Sequence, residues 1–274
     1  MGDTEGQRFA MRIEYDGTDF VGWQIQNNGR SVQGELERAL EQICGGNPRV
    51  HGSGRTDTGV HAEGQMAHVD LATRLSPVQL RNALNAELAE DVTVHDVSIA
   101  AADFHARHSA SSRSYTYAIA HRRISIDRRR QWMLYAGFDH DAVRAAIPLL
   151  LGAHDFTTFS KYAPEQKHHY CYIFDARWES DGLRSLFHIT ANRFLHGMVR
   201  CIVGELARIG RGKCSPEDLA HLLAARDRTL APMLAPAQGL VLREVRYDAG
   251  ERALVTAVMN ELRGSDAPDT ESDS

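Results

Sequence analysis

Alternation of apolar and polar side chains predicts a strand near the start of the chain. In residues 9–15 every second side chain is large and apolar, and the side chains between them are small or charged. A period of two residues is typical of a half-buried strand. Similar segments predict further strands at 60–71, 92–100, 113–120, 171–178, 185–191 and 240–247. A Ser-Asp-Gly turn between 171–178 and 185–191 indicates that these two form a hairpin.

Apolar positions three and four residues apart predict five helices. Residues 31–44 carry an apolar stripe that begins behind Ser31, a candidate N-cap. Ser76 and Gln79 have the spacing of a capping box at the start of a helix over 76–88. The other helices are predicted at 139–152, where Pro148 introduces a kink, at 194–210, which has the strongest stripe, and at 215–225.

The predicted elements follow the order β-α-β-α-β and then β-α-β-β-α-α-β. Hairpins and uneven alternation favour an α+β fold over a doubly wound parallel sheet. We therefore predict two pseudo-duplicated lobes with mostly antiparallel sheets flanked by helices, and an active-site cleft between the lobes. The lobes are expected at 8–105 and 106–250, and an acidic, disordered tail at 260–274.

Charge is distributed unevenly along the 274 residues. The formal net charge is −5, but residues 261–274 alone hold five acidic residues and one arginine, so the rest of the chain is close to neutral. Only three of the 31 basic residues are lysines. Arginine binds phosphate through paired hydrogen bonds and stacks on bases, although genomic composition bias also enriches it.

The sequence indicates a protein of the cytoplasm. No apolar run approaches the ~20 residues of a membrane helix, and the polar N-terminus lacks an apolar signal region. The four cysteines are far apart and form no C-x-x-C pair, which fits reduced thiols. We therefore expect no membrane partner.

Asp57 is the first candidate for chemistry. It stands between Gly54 and Gly59 in a tight turn before a predicted strand, and Arg55 lies two residues earlier. Such a turn can hold a carboxylate at the mouth of a cleft. The alternative is an Asx-turn in which Asp57 only caps its own backbone, and spacing alone favours that alternative.

Two further residues have a functional and a structural interpretation. Tyr115 and Tyr117 face the same side of a predicted strand, where an aromatic ring can stack on a base or pack in the core. Arg200 follows Val199 on an otherwise apolar helix. It either pairs with a carboxylate or extends to solvent from the edge of the stripe.

Five arginines fall within nine residues directly after the Tyr115 strand: Arg122, Arg123, Arg128, Arg129 and Arg130. Charged runs are usually solvated loops. The position after a candidate base-contacting residue favours the other interpretation, in which this run binds the phosphates of a nucleic acid.

Cofactor motifs are missing. The 14 histidines form neither an H-E-x-x-H pattern nor the H-x-E and C-x-x-C pattern of zinc deaminases. The chain also lacks a P-loop, a G-x-G-x-x-G after a strand and a G-x-S-x-G elbow. We therefore expect no metal and no nucleotide cofactor.

Several separate motifs share the order found in one family. They are Y-D-G-T at 15–18, G-W-Q at 22–24, S-V-Q-G at 31–34, G-R-T-D-T-G-V-H-A at 54–62, R-S-Y-T-Y at 113–117, G-A-H-D-F at 152–156, F-L-H-G-M-V-R at 194–200 and A-P-A-Q-G-L at 235–240. Over about residues 8–248 the chain resembles the tRNA pseudouridine synthase A (TruA) family. The run at 54–62 is the most specific of these motifs. Residues 161–172 depart from the commonest bacterial pattern, which leaves the local RNA contacts open.

The resemblance implies a role for each candidate residue. Asp57 would be the catalytic carboxylate, and Arg200 would pair with it. Arg55 would help to displace the target base, while Tyr115 and Leu240 would contact the substrate. The resemblance also implies a homodimer without cofactor that isomerises uridines 38, 39 and 40 of the tRNA anticodon arm.

The chemistry agrees with these residue types. Isomerisation of uridine needs no redox partner, and a carboxylate can act on a glycosidic bond as nucleophile or base. The residues leave open whether Asp57 attacks the sugar, attacks the base or removes a sugar proton. Two alternatives also stay open, namely a non-catalytic RNA-binding protein of similar fold and a histidine-based metal-dependent hydrolase.

Overall fold

The computed structural model describes residues 6–135, 137–162 and 168–265, without the side chains of residues 261 and 263–265. Within these ranges ten strands form one mixed sheet, and six α-helices flank it. The predicted α+β class is confirmed. No helix in the described ranges is long and apolar enough to cross a membrane.

The elements follow the chain in an irregular alternation. The strands are β1 Gln7–Tyr15, β2 His51–Gly52, β3 His61–Leu71, β4 Val92–Ile99, β5 Ser112–Ala120, β6 Trp132–Met133, β7 Gly152–Asp155, β8 Tyr170–Ser180, β9 Arg184–Ala191 and β10 Leu240–Arg246. The helices are α1 Val32–Cys44, α2 Pro77–Glu87, α3 His140–Ala146, α4 Met198–Gly210, α5 Pro216–Ala225 and α6 Ala249–Ser265.

Local chemistry explains where several helices begin. The Ser31 hydroxyl accepts a hydrogen bond from the Gly34 N–H at the start of α1. Ser76 and Gln79 form the predicted capping box of α2, and Ser215 and Asp218 form another at α5. These caps satisfy N–H groups that have no partner inside the helix, so the serines fix the first turn.

A single sheet joins the two predicted lobes. Its strand order is β4-β1-β3-β10-β5-β9-β8-β7, with β2 beside β3 and β6 beside β5. β10 comes from the C-terminal half, yet it lies parallel to β3 and antiparallel to β5. The two predicted halves therefore share one sheet, because this one strand bridges them. The boundary between residues 105 and 106 stays a prediction.

Two helices differ from their predicted extents, and a third was not predicted. α3 ends at Ala146 and continues as a 3-10 turn over Ile147–Leu150, since Pro148 cannot extend an α-helix. α4 begins at Met198, because Gly197 adopts a left-handed backbone conformation with φ of +76°. α6 was not predicted, and its last residues fall in the predicted tail. The remainder of that tail, 266–274, lies outside the described residues.

The core is continuous across both halves. Buried side chains of β1 and α1, such as Ile13 and Leu36, belong to the same apolar cluster as Phe187 of β9 and Leu206 of α4. One shared core fixes the two halves relative to each other, and it holds the strand ends and the α4 N-terminus around a cavity.

Candidate active site

A cavity of about 910 Å³ opens where the Asp57 turn faces β5 and the start of α4. It is lined by all five residues singled out from the sequence: Arg55, Asp57, Tyr115, Arg200 and Leu240. Six basic side chains border it, namely Arg55, Arg107, Arg113, Lys161, Arg193 and Arg200, whereas Asp57 is the one acidic residue among the lining residues. Such a lining concentrates positive potential around a single carboxylate.

The loop after β1 holds the turn that carries Asp57. The Trp23 N–H donates to the Thr56 carbonyl at 3.1 Å, and the Thr58 hydroxyl donates to the Val21 carbonyl at 2.9 Å. Gly22 has a φ of +113°, and a Cβ at this position would lie 2.5 Å from the Thr56 carbonyl oxygen. Only glycine permits so close an approach of the two loops.

Two further contacts hold the Asp57 turn. The Thr56 hydroxyl lies 2.8 Å from the Tyr15 hydroxyl in the core. The Val60 N–H donates to the Asp57 carbonyl at 3.1 Å and closes the turn. In the alternative Asx-turn, the Asp57 side chain would accept a hydrogen bond from its own turn. In the structure that side chain instead accepts one from Arg200.

Arg200 and His196 contact different oxygens of Asp57. Arg200 Nη1 donates to Asp57 Oδ2 at 2.8 Å, while Arg200 Nε donates to the Ala235 carbonyl at 2.7 Å. His196 Nε2 lies 3.3 Å from Asp57 Oδ1. Arg200 is held at two points and its side chain is only 15% exposed, so it fixes Oδ2, whereas Oδ1 has a longer contact with the half-exposed His196.

Tyr115 forms a buried wall of the cavity. Its ring packs edge-to-face on Phe194, with 5.1 Å between ring centroids. Burial raises the pKa of Tyr115 to about 12, and the negative charge of Asp57 contributes in the same direction. The hydroxyl therefore stays protonated at neutral pH. On the neighbouring strand β10, Leu242 is paired with Tyr115, and Leu240 adds an apolar surface to the cavity.

Tyr117 packs in the core, which was the alternative to base stacking for Tyr115 and Tyr117. Its side chain is buried, and its hydroxyl donates to the Pro236 carbonyl at 2.7 Å. Arg55, in contrast to the buried Tyr117, is exposed, and it lines the cavity.

Arg113 holds the cavity wall together rather than facing solvent. Its guanidinium donates to the carbonyls of Ser53 at 3.0 Å, Arg107 at 2.8 Å and Asn192 at 2.9 Å. Burial lowers the pKa of this side chain. These bonds tie the segment before Asp57 to the loop between β4 and β5 and to the end of β9, so Arg113 positions the turn.

Sequence reasoning missed several cavity residues, notably Arg107, Lys161, Arg193 and His196. His196 lies inside the recognised motif at 194–200, and that position was the available signal. The other three come from separate loops, and nothing in their local sequence indicates that they meet. Among the described residues no group of three or more His, Cys, Asp or Glu side chains is arranged to hold a metal ion.

The fold and the cavity together define a site for chemistry on a polyanion. One carboxylate, fixed by an arginine, faces a space with six basic side chains and a buried tyrosine. Phosphates suit the basic lining, and a carboxylate can serve as nucleophile or base toward a sugar-linked base. These features are those of a nucleic-acid-modifying enzyme.

Comparison with known proteins specifies the family. A family model described as tRNA pseudouridine synthase matches residues 11–109 and 146–248. Over 247 residues the chain is 44% identical to the tRNA pseudouridine synthase A of Sinorhizobium medicae, with 88% of this chain and 99% of that protein covered. The protein of the same name from Maridesulfovibrio salexigens is 41% identical over 248 residues, with 88% and 90% covered. The chain belongs to the tRNA pseudouridine synthase family.

Proposed function

We propose that this chain isomerises uridine to pseudouridine at positions 38, 39 and 40 of the tRNA anticodon arm, with Asp57 as the catalytic carboxylate. The observation that carries the proposal is the placement of Asp57 as the one acid among the residues lining a basic cavity, with Arg200 on its Oδ2. Family membership supports the reaction, and the resemblance of the motifs supports the three positions.

The reaction is balanced without an added reagent. The N1–C1′ glycosidic bond breaks, the base turns within the cavity, and a C5–C1′ bond forms. The proton on C5 leaves and N1 takes up a proton, so substrate and product have the same composition. Pseudouridine synthases are therefore isomerases. Asp57 Oδ1 has the longer contact, 3.3 Å to the half-exposed His196, whereas Arg200 holds Oδ2, so we assign the reacting oxygen to Oδ1.

We assign displacement and binding of the target base to other cavity residues. A base in a paired stem must leave its stack before it can react, and this leaves a gap in the helix. Arg55 is exposed and lines the cavity, so we assign its guanidinium to that gap. Tyr115 and Leu240 supply the buried surface against which the displaced base packs.

Replacement of Asp57 by Asn tests the proposal. The amide keeps the shape but is neutral and a poor nucleophile, so release of tritium from tRNA labelled at uridine C5 should fall at least about a thousandfold. Binding to tRNA should stay within a few-fold, because phosphate contacts dominate affinity. Sequencing of pseudouridine sites in tRNA treated with wild-type protein should show conversion at 38, 39 and 40.

Asp70→Asn is the matched control. Asp70 also pairs with an arginine, Arg8, at 2.7 Å, but it lies outside the cavity. This variant should release tritium at the wild-type rate. Turnover by Asp57→Asn would remove Asp57 from the mechanism. A wild-type protein that binds tRNA but releases no tritium would favour the non-catalytic RNA-binding alternative.

The assembly and location of the chain are also proposals. We propose a homodimer, which the family resemblance implies, and light scattering should then give twice the mass of one chain. We propose a cytoplasmic location, supported by four cysteines that are all free thiols.

A further inference from the structure

The loop between β5 and β6, residues 121–131, is the most densely basic segment outside the cavity. We call it the arginine loop. It contains the five arginines at 122, 123 and 128–130 and a single acidic residue, Asp127. All five arginines are exposed. The Arg130 N–H donates to the Asp127 carbonyl at 2.9 Å and closes a turn over 127–130, which holds three of the five arginines.

Within the described residues, the protein supplies few counter-charges to this loop. Eleven arginines elsewhere lie within 4.0 Å of a described carboxylate, as Arg8 does with Asp70. In the arginine loop only Arg130 has such a partner, Asp16 at 3.6 Å. Clustered like charges repel one another, and a polyanion bound along the loop would remove that repulsion.

His61 anchors the arginine loop to the Asp57 turn. His61 follows that turn by four residues, and its Nε2 lies 3.0 Å from the Arg129 carbonyl. Its Nδ1 accepts a hydrogen bond from the Gly17 N–H at 3.1 Å. Burial lowers the pKa of His61, and the Asp16 carboxylate, whose Oδ1 lies 3.1 Å from Nδ1, acts in the opposite direction.

A second contact joins the arginine loop to the loop after β1. Arg130 pairs with Asp16, and Asp16 also accepts hydrogen bonds from the backbone and hydroxyl of Thr18. Residues 16–18 belong to the loop that holds the Asp57 turn. The arginine loop is therefore fixed, at two points, to the structure that positions the catalytic carboxylate.

We propose that the arginine loop binds the phosphate backbone of the RNA substrate and sets, through His61 and Asp16, where the RNA lies relative to Asp57. This inference rests on the proposed function. Arginine suits this task because its guanidinium forms paired, charged hydrogen bonds with phosphate. A loop anchored beside the catalytic turn can fix the register of a bound strand while the cavity receives one base.

The test removes three charges from the arginine loop of the full chain. Arg122, Arg123 and Arg129 have no side-chain bond to other described residues, so the triple change R122Q/R123Q/R129Q leaves both anchors intact. Binding to tRNA is measured by fluorescence anisotropy from 50 to 300 mM salt. If two or three phosphate contacts are lost, the slope of log K against log salt should become shallower by about two units. Affinity at 0.1 M salt should fall about ten- to a hundredfold.

The matched control is R74Q/R211Q/R252Q, which removes the same charge from three exposed arginines outside the cavity and the loop. It should keep the wild-type affinity and salt slope. Equal weakening by both triples would overturn the proposal, because net charge alone would then explain the effect. A loop triple that matches wild type would overturn it as well. Circular dichroism and thermal melting check that each variant is folded.

The same proteins separate this inference from the proposed function. Wild-type protein that forms pseudouridine, together with an arginine loop triple that binds normally, would reject the arginine loop alone. Wild-type protein that binds tRNA with loop-dependent salt sensitivity but forms no pseudouridine would reject the catalytic proposal and keep the loop. Preferential binding of an acidic peptide by the loop would reject the RNA partner.

Discussion

Two tyrosines on one strand have different surroundings. Tyr115 and Tyr117 project to the same face of β5, but only Tyr115 lines the cavity with Asp57. The Tyr117 hydroxyl donates a hydrogen bond to the Pro236 carbonyl. The Tyr115 hydroxyl is protonated and lines the same cavity as Asp57, so it can donate a hydrogen bond to a substrate.

Tyr115→Phe should slow turnover without weakening tRNA binding. The phenyl ring keeps the packing on Phe194 and the surface for a base, so affinity should stay within about two-fold. Loss of the hydroxyl should lower kcat about a hundredfold, a usual effect of removing a positioned proton donor or acceptor. Single-turnover tritium release separates this rate from binding.

Tyr117→Phe is the control at the residue scale. It removes a buried hydrogen bond, so the free energy of unfolding should fall by about 1 kcal/mol in urea titrations. Turnover should change little. If Tyr115→Phe runs at the wild-type rate, the Tyr115 hydroxyl has no chemical role and the ring serves only as a packing surface.

At the scale of elements, the Asp57 turn depends on the loop after β1. The two loops meet backbone to backbone at Gly22 and Thr56. The contact leaves no room for a side chain, so the geometry of the Asp57 turn is set by a residue 35 positions earlier in the chain.

Gly22→Ala should damage activity more than a strained glycine elsewhere. The new methyl group meets the Thr56 carbonyl, and alanine disfavours the positive φ, so we expect about 2–3 kcal/mol of destabilisation. The Asp57 turn must shift to relieve the clash, and turnover should fall at least about tenfold. Urea unfolding and tritium release give the two quantities.

Gly182→Ala separates strain from the clash. Gly182 also has a positive φ, +85°, in the turn between β8 and β9, but no atom lies within 4 Å of an added Cβ. This variant should lose about 1–2 kcal/mol of stability and keep its turnover. Equal loss of activity in both variants would mean that global stability, and not the position of Asp57, limits the rate.

At the scale of the whole molecule, a group of histidines links stability to pH. His68 is buried beside His51 and His105, with ring centroids 5.0 and 4.6 Å away. Its Nδ1 accepts a hydrogen bond from the Ala106 N–H at 3.2 Å, which requires an unprotonated nitrogen. Burial, followed by the charges of His105, Arg8 and His51, lowers the pKa of His68 to about 4.

The free energy of unfolding should therefore fall as pH drops from about 6.5 to about 4. Within this window the unfolded chain protonates His68 and the folded chain does not, so acid favours unfolding; above it both states are neutral. We expect His68 to account for about 1–2 kcal/mol of the loss. Urea titrations across this range measure it.

His68→Asn should make that pH dependence shallower, because asparagine retains an acceptor for the Ala106 N–H but does not titrate. The exposed His221 provides the control, and His221→Asn should leave the profile unchanged. A profile for His68→Asn identical to that of wild type would assign the acid sensitivity to other groups.

The sequence by itself determined most of the elements and the identity of the candidate site residues. Period-two alternation and serine caps are local signals, and they predicted β1, α1, α2 and α5 close to their observed bounds. The motif at 54–62 singled out Asp57, and the resemblance implied its pairing with Arg200. Such features are readable because they depend on neighbours a few residues apart.

Only the tertiary structure decided which distant groups meet. The position of β10 between β3 and β5 makes one sheet from two predicted lobes, and alternation within a strand does not encode its neighbours. Arg200 reaches Asp57 across 143 positions, and His196 joins it because Gly197 turns the chain before α4. The contact of His61 with the arginine loop has the same origin. These contacts follow from strand order and packing, which arise from the whole chain and not from any local pattern.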